Sequence, residues 1–385
     1  MRVIRTSAQN FRSIRALTLD LTGFDCFVGP NNSGKSNLFD VFSFFADTAT
    51  SSLGQAILMR DVARLRHYAA PDSEPVLVEA AVEMPAASQY KRVEYTLGFQ
   101  TSPPIGLERE IVNGFNEPGK AITLLAITRT QHGDYTYRHR DGTQEVRRGT
   151  GMPEASLYSP DGHGDASPVL RFLNGFFSRF RHYKFVPDRL KLHGPATRVE
   201  QLAADGSNFA SYLHTVQSGH RRDFDRIEDQ LKKSFPDIEE LLSPLSAQQQ
   251  GTTEIGIREK WFKNSASGAQ LSDGLAGFLA YLAVLYGPEE PTLVMFEEPE
   301  NHIHPRLMER LVEMLRGASK DQQILLSTHS VSLVNRLSLE NLVLVERSAD
   351  GGTTARRVSA KEELRAALKD WALGEAYASG VLDAA

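Results

Sequence analysis

Apolar and polar positions alternate over 1–10 and again over 14–21, on either side of Phe11-Arg12-Ser13, and Thr22-Gly23 then turns the chain into a continuous apolar run ending at Phe27-Val28. This pattern predicts a β-hairpin feeding a buried strand. From Pro75 to about Arg148 the period of two returns, predicting strands at 76–82, 93–99 and 121–125 and a hairpin over 135–147 that turns at Asp141-Gly142. Gly, Pro, Asn, Asp and Ser crowd 113–120 and 149–165, which read as surface loops. Further on the period becomes helical. Phe172, Phe176 and Phe180 lie four apart in a predicted helix over 170–181, and Leu202, Phe209, Leu213, Phe224, Ile227 and Leu231 continue the helical spacing without a heptad run. An apolar helix over 275–285, buried-type strands at 292–296 and 323–328, closing strands at 342–346 and after Gly351, and a helix over 360–369 complete the pattern.

The first buried strand runs into Gly29-Pro30-Asn31-Asn32-Ser33-Gly34-Lys35-Ser36-Asn37 and then a helix predicted over 36–45. This spacing is that of a phosphate-binding loop. Gly29 and Gly34 let backbone N–H groups turn inward around a triphosphate, Lys35 brings a positive charge to its outer phosphates, and Ser36 offers a hydroxyl to Mg²⁺. Asn31, Asn32, Ser33 and Asn37 complete the nucleotide-binding stretch. The helix points its positive end at the same anion.

Further candidate chemistry sits in the last third. Ser272-Asp273-Gly274 precedes the apolar helix, with Ser272 placed to cap it and Gly274 exposing backbone N–H groups. The strand at 292–296 ends in Glu297 and Glu298, and carboxylates at a strand end beside a phosphate loop can orient Mg²⁺ and polarise an attacking water. The strand at 323–328 delivers His329, a candidate donor to the γ-phosphate. Two basic stretches read as wet faces: Arg60, Arg64, Arg66 and His67, and the run from Arg171 to His193 in which cations interleave with phenylalanines. The second mixture also suits phosphate contact and base stacking, so DNA is a candidate partner.

Composition narrows the class. A chain of 385 residues, 41% hydrophobic and 24% charged, is an ordinary globular composition, and its net charge of −5 gives no global polyanion-binding signal. The lone Cys26 excludes an internal disulfide and fits a reducing compartment. The opening residues lack the apolar segment of a signal peptide, and the longest apolar run, 278–286, is too short to span a bilayer. A cytoplasmic location and no membrane partner are expected.

The phosphate loop, Leu271-Ser272-Asp273-Gly274, the apolar strand with Glu297-Glu298-Pro299-Glu300-Asn301-His302-Ile303-His304-Pro305, and Ser327-Thr328-His329-Ser330, in that order, resemble the ABC-type ATPase heads of the SMC, RecF and OLD group, above all the stand-alone AAA-like ATPases. Asn10-Phe11-Arg12-Ser13-Ile14 is similar to that group's opening strand and turn. The resemblance implies an α/β head with a mixed or parallel core sheet, an antiparallel β-subdomain and a helical insertion, divided as 1–165, 166–245 and 246–385. It implies ATP and Mg²⁺, with Ser36 and Glu297 toward the metal, Glu298 as general base and His329 assisting. It also implies a homodimer in which Ser272, Asp273 and Gly274 of one copy close on the γ-phosphate held by Lys35 and Ser36 of the other, and 300–302 lie at the seam. The nucleotide cycle would then engage DNA or a separate effector protein, as in DNA repair or phage defence. A transporter subunit or an ATP-timed scaffold is the alternative. Three departures stand out: Glu297 replaces the usual aspartate, the glutamine loop has only Gln100 as candidate, and no long coiled coil is present. Val343-Leu344-Val345-Glu346 is similar to the first strand of a Toprim nuclease, but too few residues follow it for the remainder, so no nuclease activity is expected.

Because the Lys35 ammonium is the main point charge on the outer phosphates, Lys35→Ala is expected to abolish ATP binding, which equilibrium titration with a fluorescent ATP analogue would measure.

Overall fold

The computed structural model describes residues 1–117, 119–130, 133–148, 155–246, 249–358 and 372–382. By packing, these residues form two compact units, 1–180 with 339–358 and 181–338 with 372–382. The boundaries follow packing rather than composition, since the first unit is completed by a segment that returns from the end of the chain.

The first unit opens with β1 (Val3–Phe11), β2 (Ile14–Asp20) and β3 (Phe24–Val28), followed by the helix α1 (Lys35–Thr50). β1 and β2 join β4 (Val76–Glu83), β5 (Arg92–Gln100), β6 (Gly106–Phe115), β7 (Ala121–Arg129), β8 (Tyr135–His139) and β9 (Gln144–Arg147) in an antiparallel sheet ordered β2-β1-β4-β5-β6-β7-β8-β9. Its strands alternate as a sheet with one covered face must: Val76, Val78, Ala80, Tyr95, Leu97 and Phe99 are buried, while Glu79 and Thr96 on the opposite face are partly exposed. β3, buried at every position, pairs in parallel with the strand Leu342–Arg347, which pairs antiparallel with Thr353–Arg357. This is the mixed sheet expected of the core. α1 lies among these layers, with Phe39 edge-on to Phe27 of β3, Phe44 stacked on Phe99 of β5, and Phe45 stacked on Phe177. A helix carrying Leu38, Phe39, Val41, Phe42, Phe44 and Phe45 has apolar surface on several sides, which is why it needs cover on each.

The second unit holds the parallel pair Leu293–Glu297 and Gln323–Thr328, joined through the helix Pro305–Ala318. The helix Asp273–Tyr286 is apolar almost all round and correspondingly buried, with Tyr281 edge-on to Phe296 and Phe278 edge-on to Phe235. A helical pair, Phe209–Gly219 and Arg221–Ser234, and a small antiparallel sheet of Ile238–Leu242, Gly256–Glu259 and Ala266–Ser267 complete it.

Three sequence expectations need correction. The strand β6 was not expected, because Glu108, Arg109 and Glu110 interrupt its apolar alternation, and the loop placed over 113–120 begins only after Phe115. Glu110 is fully buried there, accepting hydrogen bonds from Tyr95 Oη at 2.7 Å and the Ser156 amide at 2.9 Å, so a charged residue serves as an internal pin. The helix expected over 170–181 runs from Ser167 to Phe177, and Phe180 begins the strand Phe180–Tyr183 while still meeting Phe176 and Phe177 edge-on. Arg60 is not on a wet face: its side chain is 6% exposed and pairs with Asp40 at 2.9 Å and Asp47 at 2.8 Å, both on α1. The helix expected over 360–369 lies outside the described residues.

Phe177 joins Phe45, Tyr95, Phe176 and Phe180 in one aromatic cluster with no exposed surface of its own. Phe177→Ala is expected to lower the unfolding free energy by roughly 3–5 kcal/mol, measurable by denaturant titration, while α1 keeps its helical signal.

Candidate active site

In the first unit the chain leaves β3 at Val28, and α1 begins at Lys35 with Gly34 as its N-cap, φ +105°. No side chain caps this helix and no acidic residue occupies its first turn, so its amino end suits an anion. The glycines are sterically required. A Cβ on Gly29 would stand 2.1 Å from the Val345 carbonyl oxygen, and one on Gly34 would stand 2.0 Å from Thr353 Oγ1. Thr353 Oγ1 hydrogen-bonds Ser33 O at 3.1 Å and Ser13 Oγ at 2.7 Å, and Asn37 donates to the same serine. Arg347 Nε donates to Asn32 O at 2.8 Å, where Asn32 has φ +64°. Lys35 is buried and folds back along the loop, donating from Nζ to Gly29 O at 2.8 Å and Pro30 O at 2.9 Å. Asn31, Asn32 and Ser36 are exposed, whereas Ser33 Oγ is buried with no hydrogen-bond partner. A cradle with uncapped amides, a lysine and an orphaned hydroxyl fits a polyphosphate. Gln100 ends β5 and donates to Ser73 O at 3.4 Å.

In the second unit Glu297 closes its strand with its side chain 7% exposed. His182 Nε2 and Lys184 Nζ each stand 3.0 Å from one of its oxygens. Burial pushes this carboxyl up, but the hydrogen bonds from His182 and Lys184 outweigh that and hold it at about 2. A carboxylate so firmly ionised suits a hard cation. Among the described residues no three His, Cys, Asp or Glu gather as a metal cage, and Mg²⁺ commonly takes one or two protein carboxylates with phosphates and water. Glu298 follows in the left-handed region at φ +47°, a costly conformation for a non-glycine residue. Its Oε2 accepts from Asn301 Nδ2 at 2.8 Å and its Oε1 lies 3.4 Å from His329 Nδ1. Thr328 donates to Glu300, whose other oxygen is buried without a partner and whose carboxyl is pushed up by burial. The geometry thus brings Glu298 and His329 together and sets Glu297 against His182 and Lys184.

Also in the second unit, Ser272 caps the helix Asp273–Tyr286, accepting from Leu275 N at 3.2 Å. Asp273 pairs with Lys191, and a Cβ on Gly274 would stand 2.6 Å from His302 O. The basic stretch that suggested DNA is largely neutralised by the protein itself: Arg181 pairs with Glu289, His182 and Lys184 with Glu297, Arg189 with Asp205, Lys191 with Asp273 and His193 with Glu254. Sequence reasoning did not find Thr353 or Arg347 behind the phosphate loop, nor His182 and Lys184 on Glu297. No local signal marks them, because their roles arise from strands brought together across hundreds of residues.

A family profile described as "AAA domain, putative AbiEii toxin, Type IV TA system" matches residues 26–335. The chain belongs to that family. Among curated proteins it is similar to the Old nuclease of Escherichia phage P2, 23% identical over 94% of this chain and 62% of that protein. An uncharacterized protein of Methanocaldococcus jannaschii is 29% identical over 24% of this chain and 26% of its own length. The chain therefore spans less than two thirds of either relative. Among solved structures, the Smc head bound to the C-winged helix domain of ScpA aligns with a TM-score of 0.57 at 12% identity, covering 94% of this chain and all of that one. The Smc head with an extended coiled coil, bound to the C-terminal domain of ScpA derived from Pyrococcus furiosus, aligns at 0.53 and 11% identity, covering 96% and 99%. The fold is that of an SMC- and OLD-like ABC-type ATPase head.

Because Glu297 titrates at about 2 in the folded chain against an ordinary 4.5, it contributes stability above pH 4.5 that is lost as the pH falls toward 2. The contribution is about 3 kcal/mol at most. Glu297→Gln is expected to flatten that acid limb relative to the parent chain, as followed by urea unfolding at a series of pH values.

Proposed function

We propose that this chain binds ATP with Mg²⁺, hydrolyses it, and dimerises around the nucleotide, using that cycle to engage a partner in DNA repair or phage defence. The observation that carries the reading is Glu298, held in a left-handed backbone conformation, tethered by Asn301 and faced by His329. A carboxylate fixed in this way is suited to receive a proton from an attacking water. In this reading Gly29 to Asn37 hold the phosphates, Lys35 leaves its loop carbonyls for the outer phosphates, and Ser36 and Glu297 are each metal ligands. Bound Mg²⁺ would supply neutralisation of charge on the phosphate oxygens. The turn Ser272-Asp273-Gly274 is proposed to meet the nucleotide of a second copy through Ser272 and Gly274.

Between the two candidate partners, a protein effector is favoured over DNA, because the cations that would contact phosphates are already paired with carboxylates. The Smc heads of similar fold are bound to ScpA domains, which also supports a protein partner. Among the described residues no helix is long and apolar enough to cross a membrane. A cytoplasmic setting is part of the proposal and rests on the single cysteine of the sequence, which allows no internal disulfide.

Glu298→Gln is expected to bind ATP normally and to lose hydrolysis by about a hundredfold or more, the scale of removing a positioned base. Phosphate release measured beside nucleotide affinity checks this, and unchanged turnover would move the base to another residue.

A further inference from the structure

The turn Ser272-Asp273-Gly274 carries a carboxylate at the amino end of a fourteen-residue helix, the end that the proposed function assigns to a polyphosphate from a second copy. That placement is electrostatically self-defeating unless the carboxylate is neutralised, since an uncompensated Asp273 would compete for the helix amides and repel the phosphates. The structure supplies the neutralising charge. Lys191 Nζ is hydrogen-bonded to Asp273 Oδ1, and His302 Nδ1 lies 3.6 Å from Oδ2. The lysine side chain is only 17% exposed, an unusual degree of burial for an ammonium group without a partner.

Backbone contacts fix the same arrangement. A Cβ on Gly268, just before the turn, would stand 3.1 Å from Lys191 O, and one on Gly274 would stand 2.6 Å from His302 O. The segments carrying Lys191 and His302 therefore press against the turn on both sides of Asp273, and His302 has φ +66°. The backbone of the turn is therefore held between the two residues that face Asp273.

We propose that Lys191 is a positioning residue for nucleotide-dependent self-association: by neutralising Asp273 it makes the Ser272-Asp273-Gly274 turn receptive to the polyphosphate carried by a second copy. The role deepens the reading of that turn as a trans phosphate site and rests on it. It predicts a charge effect that a purely structural lysine would not show. Without Lys191 the residual carboxylate repels the incoming nucleotide, and removing that carboxylate restores association.

The test measures the ATP concentration at which the chain doubles its mass in solution, at low and at high salt, for the parent, Lys191→Met, Lys191→Arg, Asp273→Asn and the double variant. Nucleotide affinity at protein concentrations too low for association is read in parallel. Lys191→Met is expected to need about tenfold more ATP at low salt, a deficit that narrows at high salt as the repulsion is screened. Its affinity in the dilute chain should be unchanged, Lys191→Arg should behave as the parent, and the double variant should recover. A double variant as impaired as Lys191→Met, or a Lys191→Met chain that associates like the parent, overturns the proposal. Ser272→Arg, which blocks the helix end, separates the two levels: if it associates normally, or if the parent never associates with ATP, the trans reading itself fails.

Discussion

The close approach of backbone to backbone around Gly29 and Gly34 is the constraint on which the first unit's site depends. β3 delivers the loop, but the strands Leu342–Arg347 and Thr353–Arg357 form the wall it leans on, with Val345 O and Thr353 Oγ1 occupying the space where side chains would otherwise be. Ser33 O is held by Thr353, and Arg347 holds Asn32. A loop restrained in this way keeps its amides oriented before any anion arrives, so binding need not supply the ordering entropy of a free glycine-rich turn. α1 is anchored along its length, where aromatic packing and the Arg60 pairs with Asp40 and Asp47 hold the helix that carries Lys35 and Ser36.

The second unit solves a different problem, that of placing several carboxylates at one strand end. Glu297, Glu298 and Glu300 lie within four residues, and three like charges so close would weaken one another's ionisation. Each is given its own surroundings instead. Glu297 is buried against His182 and Lys184, Glu298 faces Asn301 and His329, and Glu300 is set against Thr328 where burial favours its neutral form. The same economy governs Asp273, whose charge is met by Lys191. A segment rich in cations thus serves the molecule's own acids, which explains how a basic stretch can exist in a mildly acidic protein without forming a polyanion-binding face.

Much of this was legible in the sequence. The alternation over 1–21 and 76–99, the buried strands at 292–296 and 323–328, and the Ser272 cap are local patterns, and local backbone preference with one buried face is enough to fix them. The order of the phosphate loop, the Ser272 turn, Glu297-Glu298 and His329 pointed to the family to which the chain belongs. Local pattern misled where tertiary contacts override it, as in β6, whose buried Glu110 breaks the apolar rhythm, and at Phe180, which leaves the helical stripe to begin a strand.

What the sequence by itself determined was the set of chemical groups and the elements that carry them, because helix, strand and turn signals act over a few residues. What only the tertiary structure decided was the partner of each charge. Thr353 behind Gly34, Arg60 beneath α1, His182 and Lys184 on Glu297, and Lys191 on Asp273 are pairings made by folding distant segments together, with no fixed spacing in the chain to announce them. Coulombic and hydrogen-bond energies depend on distance in space and on burial, and neither is a function of position along the sequence.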